Sequence, residues 1–528
     1  MFKIIDRQFG IDDYGTDDFL HNWPMVYILE NGKEAYVGQT LDVYTRMSQH
    51  KANPDKAGFT TAHFIYSDQS NQSMAFDYES QLISLLSADE KFTLTNKNAG
   101  IVDADFFDRE RYDDQFRILW EELRKKDLVR HSIEEIEQSD LFKYSPYKKL
   151  TDDQRTTVSM LVQQLRISKE QIMVIEGMPG SGKTVVAVYT FKLLRDSPEF
   201  ADRKIGLVIP QTSLRDSLKK LFKSIRGLSA ADVMGPSDVA DSHYDILLVD
   251  EAHRLKARRS LANYGTFDKA GSRIGLSGEV TQLDWMISQA KSLILFYDSD
   301  QSVITSDISK DTFQNTINEK FFNRMRTYFS LVTQMRCKGG NGYIDFVKKL
   351  VKGKEDTKGQ FPHYSLKLIT DFRRFENEYR KVVTREPLTR MVAGYSWEWK
   401  SKNNQDRYDI FIDSVQKRWN STNREWPHSE HAVDEVGSIH TVQGYDLSYC
   451  FVIFGREIDY DFDTQEIVIN KDLYFDQYGK RGASDEQLRT YIENIYYVLM
   501  TRGIEGTYVY ACNDGLKRYL DQYIECEV

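Results

Sequence analysis

Gly177-Met178-Pro179-Gly180-Ser181-Gly182-Lys183-Thr184 sets two glycines, a lysine and a hydroxyl at the spacing G-x-x-x-x-G-K-[ST]. The chemistry this pattern points to is phosphate binding. Gly177, Gly180, Ser181 and Gly182 let backbone N–H groups wrap a phosphate chain. A helix start behind them favours negative charge. Lys183 would reach the β- and γ-phosphates of ATP, and Thr184 would hold Mg2+. An apolar run (Ile172, Met173, Val174, Ile175) precedes the motif and a helical run (Val185, Val186, Ala187, Val188) follows. That strand–loop–helix setting favours nucleotide binding over a glycine-rich turn before an ordinary helix. Asp250-Glu251-Ala252-His253 closes a second apolar run about 65 residues later. Asp250 would bind the same Mg2+, and Glu251 would polarise the attacking water.

A second set of reactive types lies near the N-terminus. Met25-Val26-Tyr27 and Tyr36-Val37-Gly38 flank Asn31-Gly32, a hairpin turn signal. A helix expected to be capped by Thr40 carries Arg46 and His50, which share one face because they are four apart. Glu79 falls on a later helix, and Leu94-Thr95-Asn96 follows. Residues 25 to 98 resemble a GIY-YIG nuclease, with Met25 and Val37 as mild departures from the two triplets. The resemblance implies metal-dependent phosphodiester hydrolysis, which needs a metal ligand, a cation and a proton acceptor. Glu79 would hold one Mg2+ or Mn2+, and Arg46 would grip the scissile phosphate. Tyr27 would be the general base or a water-orienting group, supported by Tyr36 and His50, with Asn96 positioning the site and Asn98 as its rival. Taken singly, these residues read as strand packing and a solvated helix face.

The elements that must position these groups read as α/β. Apolar runs at Ile205 to Ile209, Ile246 to Val249 and Leu293 to Tyr297 alternate with helical segments, as buried parallel strands do. Polar residues end each run, where α/β sheets place ligands. A further set follows at Arg390 to Ala393, Tyr449 to Phe454 and Thr507 to Cys512. Glu457 to Asn470 reads as a surface hairpin, and His243 and His253 show no metal-like partners. Phe116, Ile118, Leu119 and Leu123 give the preceding charged segment a helical apolar spacing, and Pro146 breaks it. The expected organisation is a small GIY-YIG α/β domain (1–105), a helical connector (106–149) and two tandem RecA-like parallel-sheet domains (150–325 and 326–528).

The order of the motifs resembles superfamily 1 helicases. Thr151-Asp152-Asp153-Gln154 is similar to the Q motif, in which Gln154 would read adenine, although Thr and Gln three apart also make a capping box. Pro210-Gln211-Thr212-Ser213-Leu214 resembles motif Ia, and Asp298-Ser299-Asp300-Gln301 motif III, where Gln301 would sense the γ-phosphate. Thr333-Gln334-Met335-Arg336, His440-Thr441-Val442-Gln443-Gly444 and Leu499-Met500-Thr501-Arg502-Gly503 resemble motifs IV, V and VI. The resemblance makes Arg336 and Arg502 arginine fingers. Residues about 140 to 512 are further similar to a bacterial group related to the helicase-like half of Schlafen proteins, through Phe142-Lys143-Tyr144-Ser145-Pro146-Tyr147 and Ala393-Gly394-Tyr395-Ser396-Trp397. No room is seen for the large accessory insertions of processive helicases.

Bulk properties narrow the setting. The 528 residues carry a net charge of -10, so nucleic acid must be met by local patches. Lys219, Lys220, Lys223 and Arg226 form one candidate patch, and Arg254, Lys256, Arg258 and Arg259 another; either could equally be a solvated helix face. No apolar run approaches membrane-spanning length, and the start Met1-Phe2-Lys3-Ile4-Ile5-Asp6 is unlike a signal peptide. Four scattered cysteines fit a reducing, cytoplasmic compartment. The expectation is an ATP-dependent or ATP-regulated endonuclease acting on DNA, with RNA open, in defence against foreign DNA. The alternatives are a repair or recombination helicase, and a switch in which ATP restrains the nuclease. An oligomer or a protein partner is compatible with either.

Overall fold

The computed structural model describes residues 2–527 apart from 12, 13, 15–17, 98–108, 138, 148, 149, 262, 335, 403, 405, 424, 443 and 444. The chain divides into two compact units. The first comprises 1–158, 184–207 and 214–234; the second comprises 159–183, 208–213 and 235–528. The boundary expected at 105/106 and residue 149 lie outside the described residues.

The first unit is built on a five-stranded sheet of β1 (Lys3–Gln8), β2 (Met25–Glu30), β3 (Glu34–Thr40), β4 (Thr61–Tyr66) and β5 (Thr93–Leu94). Their spatial order is β1-β4-β2-β3-β5, antiparallel except for the β3–β5 pair. The β2–β3 hairpin turns at Gly32, whose φ of 80° is open to glycine at little steric cost. The Asn31 side chain accepts the N–H groups of Lys33 and Glu34 and locks the turn. The helix Val43–Lys51 is capped by Asp42, which accepts the Thr45 N–H at 2.7 Å, and not by Thr40. Thr40 lies too early for that role; its hydroxyl is occupied by the backbone N–H and C=O of Asp42.

Helix Gln72–Ala88 buries Met74, Tyr78, Leu82 and Leu86. Helix Arg109–Lys125 buries Phe116, Leu119, Trp120 and Leu123, spaced i, i+3, i+4, i+7. Ile118, expected on the same stripe, is 62% exposed, because two residues along a helix turn a side chain to the far face. Most of helices Lys183–Asp196 and Thr212–Ser224 also belong to this unit.

The second unit carries strands of two parallel sheets. In one, Met325–Leu331, Gln171–Gly177, Ala290–Tyr297 and Tyr244–Val249 lie side by side, all parallel. The chain therefore leaves this sheet after residue 331, a few residues beyond the expected boundary at 325. The other sheet orders Ser365–Leu368, Gly503–Ala511, Leu447–Phe454, Arg390–Ala393, Glu435–Gly437, Val415–Trp419 and Ile410–Ile412. Only its last pair is antiparallel. Ile172 to Ile175 are fully buried, as a strand covered on both faces requires. Ile458–Asp461 and Glu466–Ile469 form the expected hairpin, but as a separate two-stranded sheet and not within the second sheet where it was expected. All four cysteines are free thiols, and among the described residues no helix is long and apolar enough to cross a membrane.

Candidate functional site

The phosphate-binding loop follows the strand Gln171–Gly177. Gly180 and Gly182 hold φ of 84° and 80°. At Gly180 the freedom is needed twice over, since a Cβ there would lie 2.2 Å from Gln334 Oε1 and 2.7 Å from Arg336 Cβ. Lys183 Nζ donates to the carbonyls of Gly177 and Met178 and lies 3.1 Å from Asp298 Oδ2. The same Asp298 oxygen accepts Gln301 Nε2 at 2.6 Å. Gln301 Oε1 in turn accepts Arg502 Nη2 at 3.5 Å, and Arg502 Nη1 donates to Tyr445 O. Lys183, Asp298, Gln301 and Arg502 are all buried. A polar line thus runs from the loop lysine to an arginine just before the strand Gly503–Ala511 of the other sheet. Gln334 Nε2 donates to Pro179 O, and Arg336 is ion-paired with Asp446. Met335, Gln443 and Gly444 lie outside the described residues.

Asp250 is fully buried at the end of its strand, its N–H donated to Val208 O. Glu251 has a left-handed backbone (φ 49°, ψ 44°), which non-glycine residues adopt at a cost and often at functional positions. Its Oε2 lies 2.8 Å from Nε2 of the fully buried His253. Burial alone would raise the Glu251 carboxyl. His253, Lys183 and Arg254 outweigh that and hold it well below the usual carboxylate range. Gln154 forms the capping box: its Oε1 accepts the Thr151 N–H at 3.1 Å, and its own N–H reaches Thr151 Oγ1 at 3.4 Å. Thr184 lies in the first turn of its helix, and Ser181 and Thr184 are buried.

In the first unit, Tyr27 stands opposite Gly38 across the β2–β3 pair. Its ring lies over that glycine, where a Cβ would come within 2.3 Å of Tyr27 Oη. Arg46 Nε donates to the Tyr27 hydroxyl at 3.1 Å, and His50 Nε2 is 2.6 Å from it. Burial, then Arg46 and Lys56, push the His50 imidazole down to about 4. A neutral His50 accepts a hydrogen bond from the Tyr27 hydroxyl while Arg46 donates to its oxygen. Burial, reinforced by Tyr36 and Glu79 against Arg46, pushes the Tyr27 phenol far above its ordinary range. Tyr27 is therefore an anchor for Arg46 and His50 and not a group poised to lose its proton.

Tyr36 packs edge-on against His50, with ring centroids 5.3 Å apart, and opens onto a cleft of about 360 Å³. Glu79, Asn96 and Lys56 share that cleft. Burial, opposed by Arg46, raises the Glu79 carboxyl to about 7. Lys56 Nζ sits 3.0 Å from the centre of the Tyr36 ring. Burial and then Arg226 push it down to about 7, with Asp55 opposing. Asn96 accepts the Val37 N–H at 3.0 Å and donates to Val37 O at 2.8 Å, so its amide clamps β3. Asn98, its rival, lies outside the described residues. Among the described residues no three His, Cys, Asp or Glu side chains form a metal cluster. Glu79, as one carboxylate ligand in this cleft, still fits Mg2+, which keeps several of its waters. A cation there would also offset the desolvation that raises the Glu79 carboxyl.

The model of the Schlafen group 3 DNA/RNA helicase domain matches residues 170–513. The chain belongs to this family. An uncharacterized protein of Saccharomyces cerevisiae, YPL245W, is 26% identical over 391 residues, covering 66% of this chain and 83% of its own. Among solved structures, the Pif1 helicase of Candida albicans has a TM-score of 0.28 at 10% identity over 71% of this chain and 98% of that one. A Bacteroides Pif1 helicase in complex with ADP-AlF3 and ssDNA gives 0.28 at 11%, over 69% and 92%. Superpositions this loose transfer no residue roles.

The Schlafen group 3 match spans the loop at 177–184 and both parallel sheets, and leaves residues 1–169 outside it. Within it the geometry adds Asp298 and His253 to the residues singled out by sequence. Asp298 was legible as a polar strand end, whereas His253 was read only as lacking metal-like partners and is paired with the one carboxylate of Glu251. Outside it the geometry adds Gly38, legible as a glycine inside a strand. Lys56 carried no sequence signal. The patch at 254–259 is neutralised in part, Lys256 by Asp307 and Arg258 by Asp268.

Proposed function

We propose that this Schlafen group 3 chain is a helicase-like ATPase fused to a GIY-YIG endonuclease, cutting nucleic acid under the control of ATP. The proposed division is a nuclease over 1–105, a helical connector over 106–149 and RecA-like domains over 150–325 and 326–528. One observation carries the nuclease reading: Arg46 and His50 converge on the Tyr27 hydroxyl beside the cleft that holds Tyr36 and Glu79. Arg46, tethered through Nε, would present its remaining N–H groups to the scissile phosphate. Tyr36 is the hydroxyl open to the cleft and would orient the water; Tyr27 and His50 would hold Arg46 in place. Mg2+ or Mn2+ bound at Glu79 would supply Lewis acidity and lower the pKa of that water.

For ATP hydrolysis, Lys183 would exchange Asp298 for phosphate oxygens, and Thr184 and Asp250 would take Mg2+. Gln154 would contact the base, Glu251 would orient the attacking water, and Gln301, Arg336 and Arg502 would meet the γ-phosphate. DNA is the proposed substrate, with RNA the alternative, in a cytoplasmic role against foreign DNA; that role is analogy. The test is cleavage by the purified protein in Mg2+. Glu79→Ala and Arg46→Ala should abolish cutting; undiminished cutting by both would sink the assignment.

One observation favours the switch reading. Helix Lys183–Asp196, which begins at the phosphate loop, ends with Lys192 and Asp196 on the Glu79 cleft. A restraining nucleotide predicts faster cutting in Lys183→Ala; a motor predicts slower cutting. Cutting that ignores ATP in both proteins would remove both versions.

A further inference from the structure

The cleft that holds Glu79 is not made by the N-terminal strands alone. Lys192 and Asp196, and Arg226 just after helix Thr212–Ser224, line it together with Lys56 and Lys97. This added wall is fastened to the nuclease segment by backbone. The Arg226 N–H donates to Leu94 O at 2.9 Å, Leu94 and Ile225 form a parallel bridge, and Ser224 Oγ donates to Ser87 O at 3.0 Å.

The charges on the cleft differ in what they are free to do. Lys192 is buried and held by Asp196 on its own helix, so its charge is spent within the fold. Lys56 is set inward against the Tyr36 ring. Arg226 is 46% exposed, and its acidic neighbour Asp55 lies 3.9 Å away at 58% exposure. A pair that long and that wet is weakly held, so exchange for a phosphate meets little resistance. Lys97 is exposed, next in sequence to Asn96, whose amide is clamped to β3. Arg226 and Lys97 thus come from segments about 130 residues apart in sequence and share one cleft with Glu79. Glu79, Asp55 and Asp196 leave the cleft close to neutral, which disfavours small anions. A chain of phosphates can instead engage the two outer cations at once while one linkage meets Glu79.

We propose that Lys97 and Arg226 hold nucleic-acid phosphates flanking the linkage presented to Glu79, so that the ATPase segment supplies part of the nuclease's substrate site. This rests on the nuclease reading above. The full-length protein is tested as Lys97→Ala, Arg226→Ala and Arg226→Lys. Lys125→Ala, an exposed lysine that does not line the cleft, is the control. Initial cleavage rates are measured against a short fluorophore-labelled duplex over a range of salt. Each alanine variant should raise KM about tenfold, the loss of one charge-assisted contact, with the effect in KM more than kcat. Each should also flatten the salt dependence of log K by about one unit. Arg226→Lys should recover most of the loss, and the control none of these changes. KM and salt slope in both alanine variants equal to the control would overturn the proposal. If the unmodified protein shows no cutting that Glu79→Gln removes, the nuclease reading falls. The clamp is then judged by fluorescence anisotropy with the same duplex: an unchanged salt slope in both variants overturns it, and a slope lower by about one in each upholds it.

Discussion

Gly38→Ala tests whether the glycine of Tyr36-Val37-Gly38 exists to seat Tyr27. A methyl group at 38 would lie 2.3 Å from Tyr27 Oη, 2.5 Å from Cζ and 3.0 Å from Cε2. The ring has no exit. It is fully buried, and its hydroxyl is held by Arg46 and His50 from one side. Tyr36 and Phe64 pack at centroid distances of 6.3 and 6.5 Å. Overpacking of this kind costs about 1–3 kcal/mol. Tyr27→Ala alone empties a buried aromatic site and should cost about 3–5 kcal/mol. In the double variant the methyl group added at Gly38 enters space that the ring has left. The combined cost should therefore fall short of the sum by about 1–3 kcal/mol, far outside the roughly 0.5 kcal/mol scatter of independent sites. The assay is urea unfolding of the four full-length proteins, followed on the transition that Tyr27→Ala displaces. Additive costs would refute the argument, because they would mean the methyl group meets something other than Tyr27.

The pH dependence of the first unit has two opposed parts. His50, held down to about 4 from 6.5, contributes stability that is full above pH 6.5 and lost as pH falls towards 4, at most about 3 kcal/mol. Glu79, raised from 4.5 to about 7, contributes stability that is full below pH 4.5 and lost as pH rises through 7. Glu79→Gln removes the opposing part, so urea midpoints should fall more steeply from pH 6.5 to 4 than in the unmodified protein; an unchanged profile would contradict the raised Glu79 carboxyl. Arg502→Ala should lower the ATPase kcat by about 10³-fold while nucleotide affinity, read by equilibrium titration, changes little; Arg502→Lys should not rescue it, because an ammonium cannot reproduce the guanidinium fork. Chelation with EDTA should stop both ATP hydrolysis and cutting, and Mn2+ should restore cutting; cutting that persists in EDTA would remove the metal role of Glu79.

Much of the scaffold was legible because burial writes itself into composition. Strands covered on both faces must be apolar throughout, so Ile172 to Ile175, Ile246 to Val249 and Leu293 to Tyr297 announced a parallel sheet before any coordinates. The phosphate-loop spacing singled out Lys183, and polar strand ends singled out Asp250 and Asp298. Local signals were weaker where two residues compete for one role. Thr40 and Asp42 both suit a cap, and the geometry of the turn selects Asp42. Ile118 is apolar but lies on the wet face of its helix, which a window of apolar residues does not resolve.

What the sequence alone offered is the chemistry: a phosphate loop and its acids, and six reactive residues between Tyr27 and Asn96. These follow from residue identity and spacing, whereas the arginines Arg336 and Arg502 follow from resemblance to the helicase motifs. What only the tertiary structure decided is which groups neutralise one another. Lys183 rests on Asp298, 115 residues away. Glu251 is tuned by His253, and Tyr27 is buried so deeply that it anchors Arg46 and keeps its proton. Arg226 shares a cleft with Glu79. Charge–charge energy and burial depend on distance through space, and the chain's own numbering carries neither.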